Sequence, residues 1–231
     1  MAPKPTIILV HGFWGGAAHW NKVILELRAA GYGYNNLRAI DVPLTSLADD
    51  AGRIRQELDN TEGDVLLVGH SYGGAVITEA GNHKAVKGLV YIAAFAPDAG
   101  ESPGGLTQAR PPSAAANLAP DAAGYLWVKR ELFHESFAQD LTKDDGFAMA
   151  ITQKAPLAST FGEAISNPAW KTKPSWYQIS TADHMINPEN QQFMSARIQP
   201  RKVIKLDASH ASLASKPKEV AALILEAAGA I

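Results

Sequence analysis

The residues Gly69-His70-Ser71-Tyr72-Gly73 stand directly after the apolar run VLLV and directly before a helix-like segment. A serine at a tight strand-to-helix turn, with glycines two positions to either side, is typical of a nucleophile held on a strained elbow. A serine hydroxyl is a weak nucleophile until a neighbouring base activates it. The pattern therefore predicts nucleophilic acyl transfer at Ser71. A phosphate-binding turn is disfavoured, because the spacing is not GxGxxG and no Lys-Ser/Thr pair follows.

A base and an acid are expected further along the chain. When the nucleophile sits on such an elbow, the acid follows it in the chain and the histidine comes last. His210 lies after the run VIKL and before the last helical segment, so it is the predicted base. Asp183 follows the run WYQIS and is the predicted acid, whose carboxylate would fix the tautomer of the imidazole. Two alternative acids stay open: Asp98, one strand earlier, and Asp207, close to the histidine in sequence.

Backbone N–H groups are expected to hold the negative charge that develops on the substrate oxygen. One belongs to Tyr72, the residue after the nucleophile, and the other to Phe13 in the loop after the first strand. Residues of that loop and of a later insertion are expected to line an apolar substrate pocket: Gly12, Trp14, Tyr125, Trp127 and Phe161.

The chain has seven histidines. His11 and His70 are expected to pack beneath the site as structural side chains, whereas His19, His83 and His134 are expected to be solvated. No pair of histidines shows the spacing of metal ligands, so no metal and no cofactor is expected.

Short apolar runs alternate with helical patterns along most of the chain. The predicted strands cover residues 6–10, 37–40, 65–69, 88–93, 176–180 and 203–206. The predicted helices cover about residues 18–30, 47–58, 72–81, 188–197 and 217–228. This succession predicts an α/β fold with a mostly parallel sheet of about six strands, flanked by helices.

One segment breaks the alternation. Between residues 97 and 174 no strand is predicted, and only short helix-like pieces stand out, at 124–133 and 146–154. A long insertion between two strands is usually functional. We therefore expect residues 97–174 to form a helical cap, and residues 1–96 and 175–231 to form the core.

Composition excludes several classes of protein. The chain of 231 residues has 21 Lys and Arg against 23 Asp and Glu, so it has no excess of positive charge to bind nucleic acid or a membrane surface. It has no cysteine, which excludes a disulfide framework, a thiolate metal site and a cysteine nucleophile.

The first apolar run is too short for a signal peptide or a membrane span, so a cytoplasmic protein is expected. The expected partner is a small-molecule substrate, and a homodimer is left open.

Four motifs together resemble the small cap-bearing α/β-hydrolases related to plant methyl esterases and hydroxynitrile lyases, a branch that includes bacterial esterases. They are His11-Gly-Phe-Trp-Gly-Gly-Ala-Ala-His-Trp20, Gly-His-Ser71-Tyr-Gly-Gly, Asp183-xx-Ile-x-Pro188 and Ser209-His210. The similarity extends over nearly the whole chain. It implies the α/β-hydrolase fold with a helical cap inserted before the last two strands, and a Ser-His-Asp triad.

The same resemblance separates ester hydrolysis from lyase chemistry. Hydroxynitrile lyases of this family typically carry threonine after the first-loop histidine and lysine after the catalytic histidine. Gly12 and Ala211 stand at those positions here. The resemblance therefore implies a serine carboxylesterase that hydrolyses small to medium apolar esters through an acyl-enzyme. The alternatives are other reactions of the same triad (lyase, C–C hydrolase, perhydrolase, cofactor-free dioxygenase) and ligand binding without catalysis.

Overall fold

A computed structural model describes residues 4–231, and these residues contain eight strands. The strands are β1 (Thr6–Val10), β2 (Leu37–Ile40), β3 (Val65–His70), β4 (Val86–Ile92), β5 (Leu118–Pro120), β6 (Leu126–Val128), β7 (Ser175–Ser180) and β8 (Lys202–Leu206). Six of them form one parallel sheet in the order β2-β1-β3-β4-β7-β8. The predicted α/β fold with a six-stranded parallel sheet is confirmed, and each predicted strand differs from the observed one by at most two residues at either end.

Helices cover both faces of the sheet. They are α1 (Asn21–Ala29), α2 (Leu47–Asp59), α3 (Gly73–Ala80), α4 (Pro103–Ala109), α5 (Phe133–Phe137), α6 (Lys143–Thr152), α7 (Pro188–Ile198), α8 (Ser212–Ser215) and α9 (Pro217–Gly229). Side chains alternate along a strand, so Ile7 and Leu9 pack in the layer of α1 and α9, whereas Ile8 and Val10 pack in the layer of α2 and α3. Within residues 4–231 no helix has the length and apolar character needed to cross a membrane.

The strand order determines where a site can form. The chain passes from β1 to β2 on one side and then returns to β3 on the other side of β1. In open parallel sheets, ligands bind beyond the carboxyl ends of the strands at such a reversal. The loop after β1 and the turn after β3 meet there, and the loops after β7 and β8 lie at the same edge of the sheet. All the predicted catalytic residues follow these four strands.

The segment 97–174, which we call the cap, joins β4 to β7. It contains α4, α5 and α6 and also the antiparallel pair β5–β6. The expectation of a cap without strands is therefore wrong. Each of these two strands has only three residues, which is too short to give an alternating pattern in the sequence.

The prediction of a helix at 124–133 is also wrong. Side-chain hydrogen bonds form a turn there instead of a helix. The Asp121 carboxylate accepts hydrogen bonds from the backbone N–H groups of Ala123 and Tyr125. Gly124 adopts a φ of +86°, which a residue with a side chain rarely adopts. This turn sends the chain into β6, whose Val128 is then paired with the side-chain amide of Gln153.

Candidate active site

Ser71 occupies a strained turn between β3 and α3. Its φ is +55°, in the left-handed region that residues other than glycine rarely occupy. The backbone is held from both sides: the Ser71 N–H donates to Ile92 O at 3.2 Å, and Ser71 O accepts from Phe95 N at 3.0 Å. A Cβ at Gly69 would lie 2.5 Å from Gly73 O, and one at Gly73 would lie 2.5 Å from a carbonyl oxygen of β1. Both glycines are therefore required by close packing at this turn.

His210 and Asp183 form a fully buried pair. His210 Nδ1 lies 2.7 Å from Asp183 Oδ2, and neither side chain is accessible to solvent. Because a carboxylate only accepts hydrogen bonds, the proton of this contact belongs to Nδ1. The other ring nitrogen, Nε2, is buried and has no hydrogen-bond partner among residues 4–231. In the neutral ring this nitrogen carries a lone pair, so it can accept a proton from a substrate or a nucleophile.

The main chain brings this pair next to the Ser71 turn. His70, the residue before Ser71, has its Nε2 2.8 Å from the backbone oxygen of His210, and the two rings lie 4.7 Å apart. Burial holds the pKa of His70 well below its usual value, so this ring is neutral. His70 is thus a structural contact between the β3 turn and the β8 loop, as expected from the sequence.

The Asp183 carboxylate accepts four hydrogen bonds. The N–H groups of Met185 and Ile186 donate to Oδ1 at 2.7 and 2.9 Å. Gln191 Nε2 donates to Oδ2 at 2.7 Å, and Gln191 is itself fully buried in the first turn of α7. Gln191 was not among the predicted site residues. The one available signal was its place just after Pro188, at the start of the helix that follows the Asp183 loop.

The two alternative acids lie elsewhere. Asp98 forms an ion pair with Lys171 at 2.5 Å, and its side chain is about a third exposed. Its hydrogen bond with Lys171 lowers the pKa of Asp98. Asp207 is exposed to solvent. Of the three acids considered, only Asp183 contacts His210.

The loop after β1 passes directly over Ser71. A Cβ placed on Gly12 would lie 2.5 Å from Ser71 Cβ, so no larger residue fits there. Gly12 therefore provides a close approach of the backbone and does not form a pocket wall. The ring of Phe13 stacks on that of Tyr72 with centroids 3.9 Å apart. Within residues 4–231 the backbone N–H groups of Phe13 and Tyr72 donate to no other protein group, so both are free to bind an oxyanion.

A narrow apolar cavity of about 40 Å³ opens onto Ser71. The core contributes Phe13, Trp14, Ser71, Phe95, Met185 and Ile186, and the cap contributes Thr107, Pro112, Ala114, Ala115, Leu118 and Phe161. No charged side chain is among them. Ligand pockets usually enclose roughly 300–1,000 Å³, so this cavity is smaller than a typical substrate site.

Two of the five predicted pocket residues, Trp14 and Phe161, line this cavity. Tyr125 and Trp127 do not. Tyr125 pairs with Leu157, and the indole of Trp127 donates to Asp121 Oδ2 at the surface. The turn at Asp121, which the sequence pattern did not predict, places both residues outside the cavity wall.

His19 also differs from expectation. Its ring is largely buried near Phe137 rather than solvated, and its Nδ1 has no partner among the described residues. Burial, followed by the nearby His11 and His210 rings, lowers the pKa of His19 to about 4. His19 is therefore neutral at physiological pH. Within residues 4–231, no group of three or more His, Cys, Asp or Glu side chains could hold a metal ion.

Comparisons with known proteins give the family. The model of the alpha/beta hydrolase family matches residues 7–223. "Probable hydrolase R7" from Phoma sp. is 27% identical over 98% of this chain and 99% of its own length. Methylesterase 7 from Arabidopsis thaliana is 27% identical over 96% of this chain and 95% of its own. The crystal structure of a pyrethroid hydrolase from Sphingobium faniae superposes with a TM-score of 0.81 at 23% identity, covering 98% of both chains. The chain belongs to the alpha/beta hydrolase family.

Proposed function

We propose that this protein is a serine carboxylesterase that hydrolyses small to medium apolar carboxylic esters. Ser71 is the nucleophile, His210 the base and Asp183 the acid that orients the base. The observation that carries the proposal is the buried His210–Asp183 pair, which leaves His210 Nε2 unpartnered beside the strained Ser71 turn. His210 would supply the base that a serine needs to become a nucleophile.

The reaction proceeds in two acyl-transfer steps. His210 Nε2 takes the hydroxyl proton of Ser71 as Oγ attacks the carbonyl carbon of the ester. The N–H groups of Phe13 and Tyr72 donate to the oxyanion of the tetrahedral intermediate. His210 then gives its proton to the departing alcohol, which leaves an acyl group on Ser71. A water molecule, deprotonated by His210, attacks this acyl-enzyme and releases the carboxylic acid and the free serine.

Substrate polarity follows from the cavity walls. They are apolar apart from Ser71 and Thr107, and the Thr107 hydroxyl already donates to a backbone oxygen in α4. Burying a charged substrate group there without a partner would be costly, which favours neutral esters. The name of one relative, a methylesterase, supports ester chemistry.

We also propose that residues 97–174 act as a cap over a core formed by residues 1–96 and 175–231. Half of the cavity lining comes from the cap, so this segment would determine which esters reach Ser71.

The position after His210 is the buried Ala211, which has no charged group to stabilise a cyanide leaving group. Lyase chemistry is accordingly not proposed. The cytoplasmic location and the homodimer stay predictions.

Hydrolysis of p-nitrophenyl acetate and butyrate tests the proposal. Wild-type protein is expected to release p-nitrophenol, and Ser71→Ala is expected to lose several orders of magnitude in kcat. Ser159→Ala, at an exposed serine of the cap, is the matched control and should keep the wild-type rate. An inactive wild type, or a Ser71→Ala variant as active as the wild type, would contradict the proposal.

A further inference from the structure

Trp14 connects the loop after β1 to the cap through two hydrogen bonds. Its backbone N–H donates to Lys154 O at 3.0 Å, and its indole N–H donates to Leu126 O at 2.7 Å. Both acceptors are main-chain oxygens of the cap, from residues more than a hundred positions away in the sequence. The side chain is only 3% exposed. The cap therefore holds Trp14 at both its backbone and its indole.

The backbone of Trp14 is strained. Its φ is +58°, in the left-handed region, which a bulky residue with a Cβ adopts only when its surroundings hold it there. The two hydrogen bonds to the cap provide that restraint. Without them the peptide before Trp14 could relax, and that peptide includes the carbonyl of Phe13.

Phe13, the preceding residue, carries one of the two proposed oxyanion donors. Its ring lies 3.9 Å from that of Tyr72, which carries the other donor, and 4.4 Å from that of Phe161 in the cap. The ring of Trp14 also lies 5.9 Å from that of Phe161. The cap therefore restrains Phe13 in two ways. Phe161 packs against the Phe13 ring, and the two hydrogen bonds hold the next residue, Trp14.

The size of the cavity bears on these contacts between the first loop and the cap. At about 40 Å³ the cavity is too small for an ester of several carbon atoms, and the cap supplies half of its wall, so we infer that the cap side of the wall moves to admit a substrate. Leu118 of the cavity wall lies in β5, which pairs with β6, so an outward movement of these two strands would separate Leu126 O from the Trp14 indole. An open cap would admit the substrate but leave the first-loop donor unrestrained.

We infer that the cap assembles the oxyanion hole when it closes, and that Trp14 is the positioning residue through which it fixes the Phe13 N–H. The inference rests on the proposed esterase function and adds to it a coupling between substrate enclosure and catalysis. Trp14 acts on the transition state through Phe13, so loss of its indole N–H alone should lower kcat and leave KM nearly unchanged.

Two replacements test the coupling. Trp14→Phe removes the indole N–H, and replacing Trp14 with 3-benzothienylalanine also removes it while keeping the fused ring and its volume. Trp170→Phe is the matched control, because the Trp170 indole likewise bonds a main-chain oxygen, Pro97 O at 2.9 Å, but lies outside the oxyanion loop. Melting temperatures show whether each variant is folded, and the benzothienyl variant is decisive if Trp14→Phe does not fold.

The readouts are kcat and KM for p-nitrophenyl acetate, and the binding of a trifluoromethyl ketone beside the matching methyl ketone. The trifluoromethyl ketone adds to a serine nucleophile and forms an oxyanion, whereas the methyl ketone stays neutral. For both Trp14 variants we expect kcat to fall about 10-fold to 100-fold, somewhat less than for complete loss of an oxyanion donor. Trifluoromethyl ketone affinity should fall by the same factor. KM and methyl ketone binding should stay within about twofold for the benzothienyl variant, which keeps the fused ring that lines the cavity.

Trp170→Phe should leave all four quantities within about twofold of wild type. An unchanged kcat in folded Trp14 variants, or an equal loss of affinity for both ketones, would overturn the inference while leaving the esterase proposal intact. Absence of hydrolysis by the wild type would overturn the proposed function itself, and the inference with it.

Discussion

Gln191 Nε2 lies 2.7 Å from Asp183 Oδ2, the same oxygen that accepts the Nδ1 proton of His210 at 2.7 Å. The Gln191 amide is itself fixed, because its Oε1 accepts from Ser180 N and its Nε2 also donates to Ile186 O. The carboxylate can therefore not rotate to present another oxygen to His210 without losing these bonds. Gln191 thus holds Asp183, and Asp183 in turn holds the His210 ring.

Gln191→Leu should consequently lower kcat by about 10-fold to 100-fold, since a hydrogen bond to a charged group is worth about 1.5–3 kcal/mol. Gln192→Leu is the control, because the neighbouring side chain is exposed and should leave kcat unchanged. Steady-state kinetics with p-nitrophenyl acetate give both values. Equal activity of the two folded variants would contradict a positioning role for Gln191.

Asp183→Asn and Asp98→Asn together distinguish the proposed acid, Asp183, from the alternative that the sequence left open, Asp98. An amide can donate to His210 Nδ1 and so stabilise the wrong tautomer, and we expect kcat to fall about 10³-fold to 10⁴-fold. Asp98→Asn removes only the partly exposed ion pair with Lys171 and should keep wild-type kcat. The reverse order of effects in the same assay would assign the acid role to Asp98.

Gly12→Ala tests the close approach of the first loop to Ser71. The new Cβ would fall 2.5 Å from Ser71 Cβ and 2.9 Å from His70 O, so the loop has to shift. Because a displaced donor no longer meets the oxyanion, kcat should fall at least about tenfold. Gly33→Ala, where a Cβ meets nothing within 4 Å, is the control. A fully active Gly12→Ala variant would show that the loop does not need this contact.

The buried His19 ring should make the free energy of unfolding depend on pH. Its pKa is about 4 in the folded protein and near 6.5 when unfolded, so below pH 6.5 the unfolded chain binds more protons and stability falls as pH falls. One proton corresponds to a slope of about 1.4 kcal/mol per pH unit. Urea denaturation between pH 6.5 and 4.5 should show a shallower loss for His19→Gln, with His70 still contributing in both proteins. Identical slopes would mean that His19 is protonated in the folded state.

Local sequence patterns were sufficient for the elements that carry the triad candidates. The run VLLV before Ser71 and the loops after β7 and β8 follow from apolar runs and chain order, because the parallel sheet gathers its carboxyl ends at one edge. Contacts between residues far apart in the chain leave no comparable pattern in the sequence, so they were not predicted. The bond from Trp14 to Leu126 joins residues 112 positions apart, and the turn at Asp121 depends on side-chain hydrogen bonds that periodicity does not register.

Gln191 illustrates the same limit at the site itself. A glutamine in the first turn of a helix is ordinary in a sequence, and only the folded loop shows that its amide points at Asp183. Only two of the five predicted pocket residues line the cavity, because the placement of Tyr125 and Trp127 depends on the turn before them. Irregular segments follow specific pairings, and these cannot be read from the pattern of apolar residues.

Covalent labelling tests the central claim most directly. A fluorophosphonate forms a stable bond with an activated serine, and trypsin releases Ser71 in a peptide of residues 56–84 that contains no other serine. Mass spectrometry of the labelled wild type should find one label, on Ser71, and His210→Ala should be labelled far more slowly because the base is missing. A label on another residue, or a wild type that takes up none, would contradict the assignment of Ser71 as the nucleophile.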